Sequence, residues 1–217
     1  MNMKLFKNNN LVSREILDLI LEGEIKPGEK LPSAGYIAKK TGVSIVTARE
    51  SIKKLETIGL ITILHGRGIY LTEGKCVIED LLEARKFFEC HNVMMAAQKI
   101  TDSQLKKLDG LIKGMDEDIK NSNISSFSEM DHEFHVLIAK FNGNRILFKA
   151  FENIRNLLLY QQLTINQRYS GMLEKSAFYH KSIFNALINR DSASARSLMA
   201  QHLDEVLDMW KKYVSNL

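Results

Sequence analysis

Four side chains in the C-terminal half of the chain are of types that bind divalent metal ions, and all four fall in stretches with helical periodicity. Asp131 and His135 are four residues apart, so on a helix they project from one face, one turn apart. His180 and His202 each lie in mid-helix beside an apolar stripe. If the four converge, three imidazoles and one carboxylate form a ligand set suited to Zn, Ni, Mn or Fe, with open positions for water or an organic acid.

The spacing leaves a second interpretation open, because a buried histidine is often only a hydrogen-bonded core residue. The bundle would then hold no metal and would serve dimerisation. His132 also lies three residues before His135. It points about 100° away from Asp131 around the helix, so we expect it to be exposed and outside the ligand set.

Enzymatic motifs are absent from the sequence, which predicts a protein that is not an enzyme. The segment from His132 to His135 lacks the two intervening residues of the zinc-protease His-Glu-x-x-His motif. A metal-dependent hydrolase or lyase would need a general base near the metal, and Glu133 lies off the ligand face. No nucleophile elbow, P-loop or dinucleotide fingerprint occurs.

The metal-binding side chains require a frame of long helices, which the sequence predicts. Thr101 with Gln104 has capping-box spacing, Ser125 can begin a helix, Gly171 breaks one, and Asp191 can cap the last. An antiparallel bundle of about six helices is expected. Its helices are predicted over residues 79–98, 102–120, 125–141, 144–167, 173–190 and 192–214.

Composition indicates a soluble protein of one or two domains. The chain has 217 residues, 45% hydrophobic and 26% charged, with two prolines. No apolar run approaches the roughly 18 to 20 residues of a membrane span, and no secretory signal precedes Leu11. Cys76 and Cys90 are too few for a disulfide framework. We therefore expect a cytoplasmic protein with no membrane association.

Charge and backbone breakers divide the chain into two parts. Residues 1–75 contain 12 Lys or Arg against 8 Asp or Glu, whereas the remainder contains 18 of each. Both prolines and eight of the twelve glycines also precede residue 76. This predicts a basic domain over 1–74, a linker at 75–78 and a helical domain over 79–217. The basic excess favours a polyanionic partner for the first domain.

The first domain has the pattern of a winged helix-turn-helix, which makes the predicted fold mainly α. A helical stripe over 11–21 stops at Gly23, Ser33 can cap a second helix, and Ser44 can cap a third that ends at Gly59. Apolar runs at 60–64 and 69–71 then flank a glycine-bearing loop, which indicates a β-hairpin.

Such a module places the start of its third helix in the major groove and its hairpin tip along the neighbouring DNA. The predicted partner is therefore double-stranded operator DNA. Opposite the face of Ala48, Ile52 and Leu55, we assign Arg49 to a base edge or phosphate, Thr47 to a base edge or methyl group, and Ser44 to a phosphate. The remaining DNA-binding candidates are Lys53 on the helix and His65, Gly66 and Arg67 at the hairpin tip, with Lys39 and Lys40 adding charge nearby.

The segment from Leu11 to Thr72 resembles the DNA-binding domain of the GntR family of bacterial transcription regulators. The matching stretches are LILEGEIKPGEKLPS (19–33), IAKKTGVS (37–44), RESIKKLETIGLI (49–61) and HGRGIYL (65–71). The family has Glu-Arg after Leu-Pro-Ser and Arg after Val-Ser, and its two arginines are common DNA contacts. Here Ala34, Gly35 and Ile45 stand at those positions. We therefore expect an operator that differs from those of better-known relatives.

The segment from Leu82 to Leu203 resembles the FCD effector domain of the FadR subfamily. The matching stretches are EARKFFE (83–89), DHEFHVLIAKFNGN (131–144), YHKSIFNAL (179–187) and MAQHL (199–203). In many members of that family the matching Asp and three His bind a divalent metal, which here implies Asp131, His135, His180 and His202. The resemblance also implies that Arg85 pairs with an effector carboxylate. The alternative for Arg85 is an ion pair with Glu89.

The two resemblances together predict a bacterial transcription regulator, most simply a repressor, that responds to a small ligand. We expect a homodimer whose two winged helices bind an inverted-repeat operator. The expected effector is a small carboxylate held by the metal and Arg85. Its binding would change the packing of the bundle and thereby the separation of the two winged helices, and the sequence does not fix whether this weakens or strengthens operator binding.

Overall fold

The computed structural model describes residues 3–21, 23–57, 59–72, 77–152 and 171–215. Internal contacts divide the chain into two compact units, the first extending to Asp80 and the second beginning at Leu81. The fold is mainly α, with one two-stranded sheet in the described ranges, as the sequence predicts.

The first unit begins with three helices, α1 (Met3–Leu21), α2 (Ala34–Thr41) and α3 (Ile45–Thr57). Ser33 Oγ accepts a hydrogen bond from Tyr36 N and caps α2, and Gly42 ends α2 in the left-handed conformation with φ 70°. Ser44 Oγ accepts from Thr47 N at 3.1 Å at the start of α3. These caps set the tight turn between α2 and α3 that defines the helix-turn-helix.

A β-hairpin follows, formed by β1 (Ile61–Leu64) and β2 (Gly68–Leu71). The strands are antiparallel, with Ile61 opposite Leu71. Gly66 at φ 73° closes the turn, and Arg67 N donates to the Leu64 carbonyl at 2.9 Å. The apolar side chains of Ile61 and Leu71 are buried. The hairpin is therefore fixed to the helices while its tip faces solvent, as a wing requires.

The second unit is a helical bundle with a shared apolar core. The helices are α4 (Val77–Ala97), α5 (Asp102–Lys120), α6 (Ile124–Phe141), a helix α7 described over 145–152, α8 (Met172–Ile188) and α9 (Ser192–Ser215). Helix α5 packs on α6 and α8, and α8 packs on α9. Six helical segments thus occupy the described part of this unit, and the predicted continuation of the fourth helix over 153–167 lies outside the described residues.

The predicted helix ends agree with the structure at most positions. Thr101 and Gln104 form the expected capping box at the start of α5, and Asp191 Oδ1 accepts from Ser194 N at 3.0 Å at the start of α9. Helix α6 instead begins at Ile124, because Asn123 caps it through Ser126 N. Helix α4 begins at Val77, so residues 77 and 78 of the predicted linker are helical, and residues 75 and 76 lie outside the described residues.

The capping box at Thr101 gives a stability prediction. We expect Thr101→Ala to lower the free energy of unfolding of the second unit by about 1 kcal/mol, because Gln104 N at the start of α5 loses the hydroxyl that accepts its hydrogen bond. Urea denaturation followed by helical circular dichroism measures the change. Thr101→Ser keeps the hydroxyl and is expected to match the parent. Equal stability of the Ala and Ser variants would show that the cap contributes nothing.

Candidate metal centre and nucleic-acid interface

Three helices of the bundle bring the predicted ligand set together. Helix α6 supplies Asp131 and His135, α8 supplies His180, and α9 supplies His202. None of the four residues exposes more than 3% of its surface. One ligand atom from each side chain can be chosen so that all lie within 4.8 Å of one another. The cluster is therefore of a size and composition that could hold one metal ion.

The distances within the cluster show which atoms face its centre. His180 Nε2 lies 2.9 Å from Asp131 Oδ1 and 3.2 Å from His135 Nε2. His135 Nε2 lies 3.8 Å from the same Asp131 oxygen. The rings of His135 and His202 stack, with centroids 5.2 Å apart and an angle of 11°. The Nε2 atoms of His135 and His180 thus converge on one carboxylate oxygen.

His202 differs from the other two histidines of the cluster, each of which contacts a carboxylate. Both of its ring nitrogens are buried, and neither has a hydrogen-bond partner within the described ranges. A buried polar atom without a partner costs about 1–3 kcal/mol, so such atoms are retained where something else satisfies them. A metal ion at the centre of the cluster would accept the lone pair of one of these nitrogens.

Helix α4 adds a second layer of charge around the cluster. Arg85 and Glu89 are almost completely buried, and Arg85 Nε lies 2.7 Å from Glu89 Oε1. Glu89 Oε2 in turn contacts His135 Nδ1. A carboxylate on Nδ1 holds the imidazole with Nε2 directed toward a metal, which is the usual second contact of a metal-binding histidine.

Sequence reasoning considered Glu89 only as an ion-pair partner of Arg85, and that pair is present, although it is buried. The four-residue spacing of Arg85 and Glu89 was the available signal for it. The contact of Glu89 with His135 joins positions 46 residues apart, so helical periodicity contains no sign of it. Arg85 Nη1 is also buried and has no hydrogen-bond partner in the described part of the chain.

Burial and neighbouring charges shift the pKa values of the cluster in directions that suit metal ligands. Burial raises the pKa of Glu89, but the charges of Arg85 and His135 outweigh it and lower the pKa to about 2. Burial likewise opposes ionisation of Asp131, whereas His180 lowers its pKa below the ordinary value. Burial lowers the pKa of His180, and it lowers that of His202 well below the ordinary value. The carboxylates are therefore charged and these two imidazoles neutral near pH 7.

The prediction that His132 is exposed is wrong, because the residue exposes only 8% of its surface. Helix α6, which carries His132, packs against both α5 and α8. Neighbouring helices therefore cover more of α6 than the one face that carries Asp131 and His135. His132 is nevertheless not among the four residues of the cluster.

The candidate DNA-binding residues lie at the surface of the first unit. Ser44, Arg49 and Lys53 are exposed and Thr47 is half-buried, while Ala48, Ile52 and Leu55 form the expected buried face. The Ser44 and Thr47 hydroxyls lie 2.9 Å apart. At the tip of the wing, all three predicted residues are exposed, namely His65, Gly66 and Arg67.

Two of the predicted cations are already paired within the unit. Lys53 forms an ion pair with Glu56, and Lys40 lies 2.6 Å from Glu15 of α1. Arg49, Arg67 and Lys39 make no ion pair in the described residues, which leaves their charges available to phosphates.

Val46 and Glu50 also lie on the outward face of α3, and sequence reasoning did not include them. Both are exposed, and at 100° per residue they lie roughly opposite the buried face. The same helical periodicity could have found them. Val46 has neither a charge nor a hydroxyl group, so it lacks the polar atoms by which the other candidates were assigned.

Comparison with known families identifies both units. A model of the FCD domain matches residues 80–205, and a model described as "Bacterial regulatory proteins, gntR family" matches residues 9–71. The chain therefore belongs to the GntR family of bacterial transcription regulators and carries an FCD domain. It is a DNA-binding transcription regulator and not an enzyme. No helix in the described ranges is long and apolar enough to cross a membrane.

Relatives match over most of their length. The chain is 27% identical to the HTH-type transcriptional regulator LutR of Bacillus subtilis, over 90% of this chain and 97% of that protein. It is 28% identical to the Uxu operon transcriptional regulator of Escherichia coli, over 90% of this chain and 83% of that protein. The solved structure of E. coli McbR/YncC shares the fold, with a TM-score of 0.72 at 17% identity, covering 98% of this chain and all of that one.

His202 lacks a hydrogen-bond partner in the described residues, whereas His180 contacts Asp131. This difference gives a stability prediction for the metal-free protein. In the presence of a chelator, we expect His202→Leu to raise the free energy of unfolding by about 1 kcal/mol, because it removes buried nitrogens that lack partners. His180→Leu is expected to lower it by about 3 kcal/mol, because the buried carboxylate of Asp131 loses the ring nitrogen 2.9 Å from its Oδ1. Chemical denaturation measures both changes. A loss of stability in His202→Leu equal to that in His180→Leu would contradict the assignment.

Proposed function

We propose that the chain is a repressor whose operator binding is controlled by a small carboxylate bound at a divalent metal centre. In this proposal a winged helix over 1–74 binds double-stranded operator DNA, residues 75–78 link the domains, and the bundle over 79–217 binds the effector and dimerises. Acting on DNA, the protein would work in the cytoplasm. The observation that carries the proposal is the buried His202, whose two nitrogens have no hydrogen-bond partner in the described part of the chain.

The ligands we assign to the metal are Asp131, His135, His180 and His202. Three nitrogens and one oxygen favour Zn, Ni, Mn or Fe over Mg and Ca, which prefer all-oxygen sites. When bound, the metal would supply a Lewis-acidic centre with open positions for an oxygen donor. Glu89 would hold the His135 ring from the opposite side through Nδ1.

The charge of the cluster supports a carboxylate effector. Leaving the imidazoles aside, the guanidinium of Arg85 and the carboxylates of Glu89 and Asp131 carry one net negative charge in the interior. A divalent cation reverses this to one positive charge, and a monocarboxylate neutralises it. Arg85 Nη1 supplies a buried donor without a partner in the described residues, which suits a carboxylate oxygen.

The competing function is a regulator whose bundle holds no metal and serves only dimerisation. The hydrogen bonds of His180 favour it. His180 Nε2 reaches both Asp131 and His135, so this ring nitrogen has partners without a metal ion. That function explains Nε2 of His180 but leaves both buried nitrogens of His202 without a partner in the described residues.

Homodimerisation would present two winged helices to an inverted-repeat operator, with a half-site spacing that the dimer fixes. An effector that repacks the bundle would alter that spacing. By linkage, an effector that weakens operator binding must itself bind more weakly to the operator-bound protein.

Metal content tests the proposed centre. For protein purified without a histidine tag or chelator, we expect about one metal ion per chain in the parent and a large loss in His135→Ala. His91→Ala removes a histidine outside the cluster and serves as the control, which is expected to keep the metal. A parent without metal that shows no rise in melting temperature on adding divalent ions would favour the metal-free function.

DNA binding gives a separate prediction at Arg49. Its exposed guanidinium has no ion pair in the described residues, so Arg49→Ala is expected to weaken specific operator binding by about 1–3 kcal/mol. Fluorescence anisotropy at fixed salt measures the affinity. Lys113→Ala removes the same charge from α5 of the second unit and is expected to leave the affinity near that of the parent. Unchanged affinity in Arg49→Ala would refute its assignment to the DNA.

A further inference from the structure

Large apolar side chains are exposed at the start of α3, where the DNA-binding module would meet base edges. Ile45 is 44% exposed and Val46 is 62% exposed. Tyr36, at the start of α2, is 55% exposed. A single exposed apolar residue needs no explanation, but two consecutive ones on this short segment do.

The starts of α2 and α3 lie against each other at this surface. A Cβ atom at Gly35 would lie 3.7 Å from Ile45 Cδ1, which is ordinary contact distance. Gly35 is the residue directly before Tyr36. The apolar surface of Ile45 and Val46 is therefore next to the start of α2 and is not isolated on one helix.

The helical geometry directs Val46 away from the core. With about 100° between consecutive residues, Val46 lies roughly 160° around α3 from Ala48, the centre of the buried face. The exposed Lys53 lies on the same side. In a helix-turn-helix, the outward residues at the start of the second helix of the motif are the ones that contact base edges in the major groove.

The charges around this surface indicate that its occupant is DNA. Lys39 of α2 and Arg49 of α3 are exposed, and neither makes an ion pair within the described ranges. Cations beside an apolar surface match a groove in which base edges are flanked by phosphates. The family model for the DNA-binding module also spans this segment, within residues 9–71.

One feature of the major groove is recognised by apolar side chains, namely the C5-methyl group of thymine. Guanine and adenine instead present N7 and O6 or N6, which require polar partners. Ile45 and Val46 can donate no hydrogen bond from their side chains, so they cannot read guanine directly.

We propose that Ile45 and Val46 form a thymine-methyl-reading site that gives this regulator a preference for A·T pairs opposite the start of α3. Arg49 and Lys39 then serve the neighbouring phosphates or one adjacent base. The proposal rests on the operator binding proposed above and adds its sequence preference.

The test removes the methyl group and nothing else. An operator is first selected in vitro from random duplexes with the full-length protein, and each thymine of a half-site is then replaced by deoxyuridine. We expect replacement at one or two positions per half-site to weaken binding about fourfold, the effect of losing one buried methyl-sized group. The other positions are expected to show little change.

Variants assign the effect to the two side chains. Ile45→Ala and Val46→Ala are expected to bring the affinity ratio between thymine and deoxyuridine operators close to one at the sensitive positions. Both positions are exposed, so the fold should tolerate the changes, and thermal melting checks this. Leu11→Ala truncates an exposed leucine of α1 and should keep the full ratio.

The outcomes separate this proposal from the one on which it rests. If the parent selects no sequence and binds all duplexes alike, specific operator binding fails and this proposal fails with it. If specific binding occurs but no deoxyuridine substitution weakens it, only the thymine-methyl site is wrong. A ratio that persists in both alanine variants would likewise overturn the assignment to Ile45 and Val46.

Discussion

Mutual compensation of charge inside the bundle is the interaction on which the rest of this unit depends. Arg85, Glu89, Asp131, His135 and His180 lie in the interior, and each is held by another member of the group. An isolated charge in such a place would cost several kcal/mol, so the helices that carry these groups must pack in one arrangement to satisfy them. The same contacts that fix α4, α6 and α8 therefore shape the candidate metal centre. Any ligand that changes the charge balance must act on the packing as well.

Helix α4 has a particular place in this arrangement. It is the first helix of the bundle and begins at Val77, shortly after the wing ends in the sequence. Its Arg85 and Glu89 connect it to the cluster through His135 of α6. Within the proposed function, a carboxylate that engages Arg85 Nη1 would share the guanidinium with Glu89, which contacts Nε. It would thereby alter the contacts of the helix that covalently follows the DNA-binding unit, which gives the effector a physical route to the operator.

Sequence patterns predicted the structural features that depend on residues close together in the chain. The spacing of Asp131 and His135 placed both on one face of α6, and the cap at Thr101 and the turn at Gly66 formed as expected. The contact of Glu89 with His135 was missed because it joins two helices that are distant in the sequence. His132 was misjudged because periodicity shows the most apolar face of a helix but not how many neighbours cover it. Val46 is not among the polar donors that the sequence pattern indicates, although an apolar group also distinguishes one base from another.

Reciprocal linkage between the operator and a small acid tests the central claim most directly. Operator affinity is measured with and without a saturating acid identified by thermal shift, and acid affinity is measured with and without operator, each in metal-loaded and chelated protein. The account predicts that the acid weakens operator binding by some factor, that the operator weakens acid binding by the same factor, and that both effects disappear on chelation. Operator affinity that is the same with and without the acid in metal-loaded protein would contradict it.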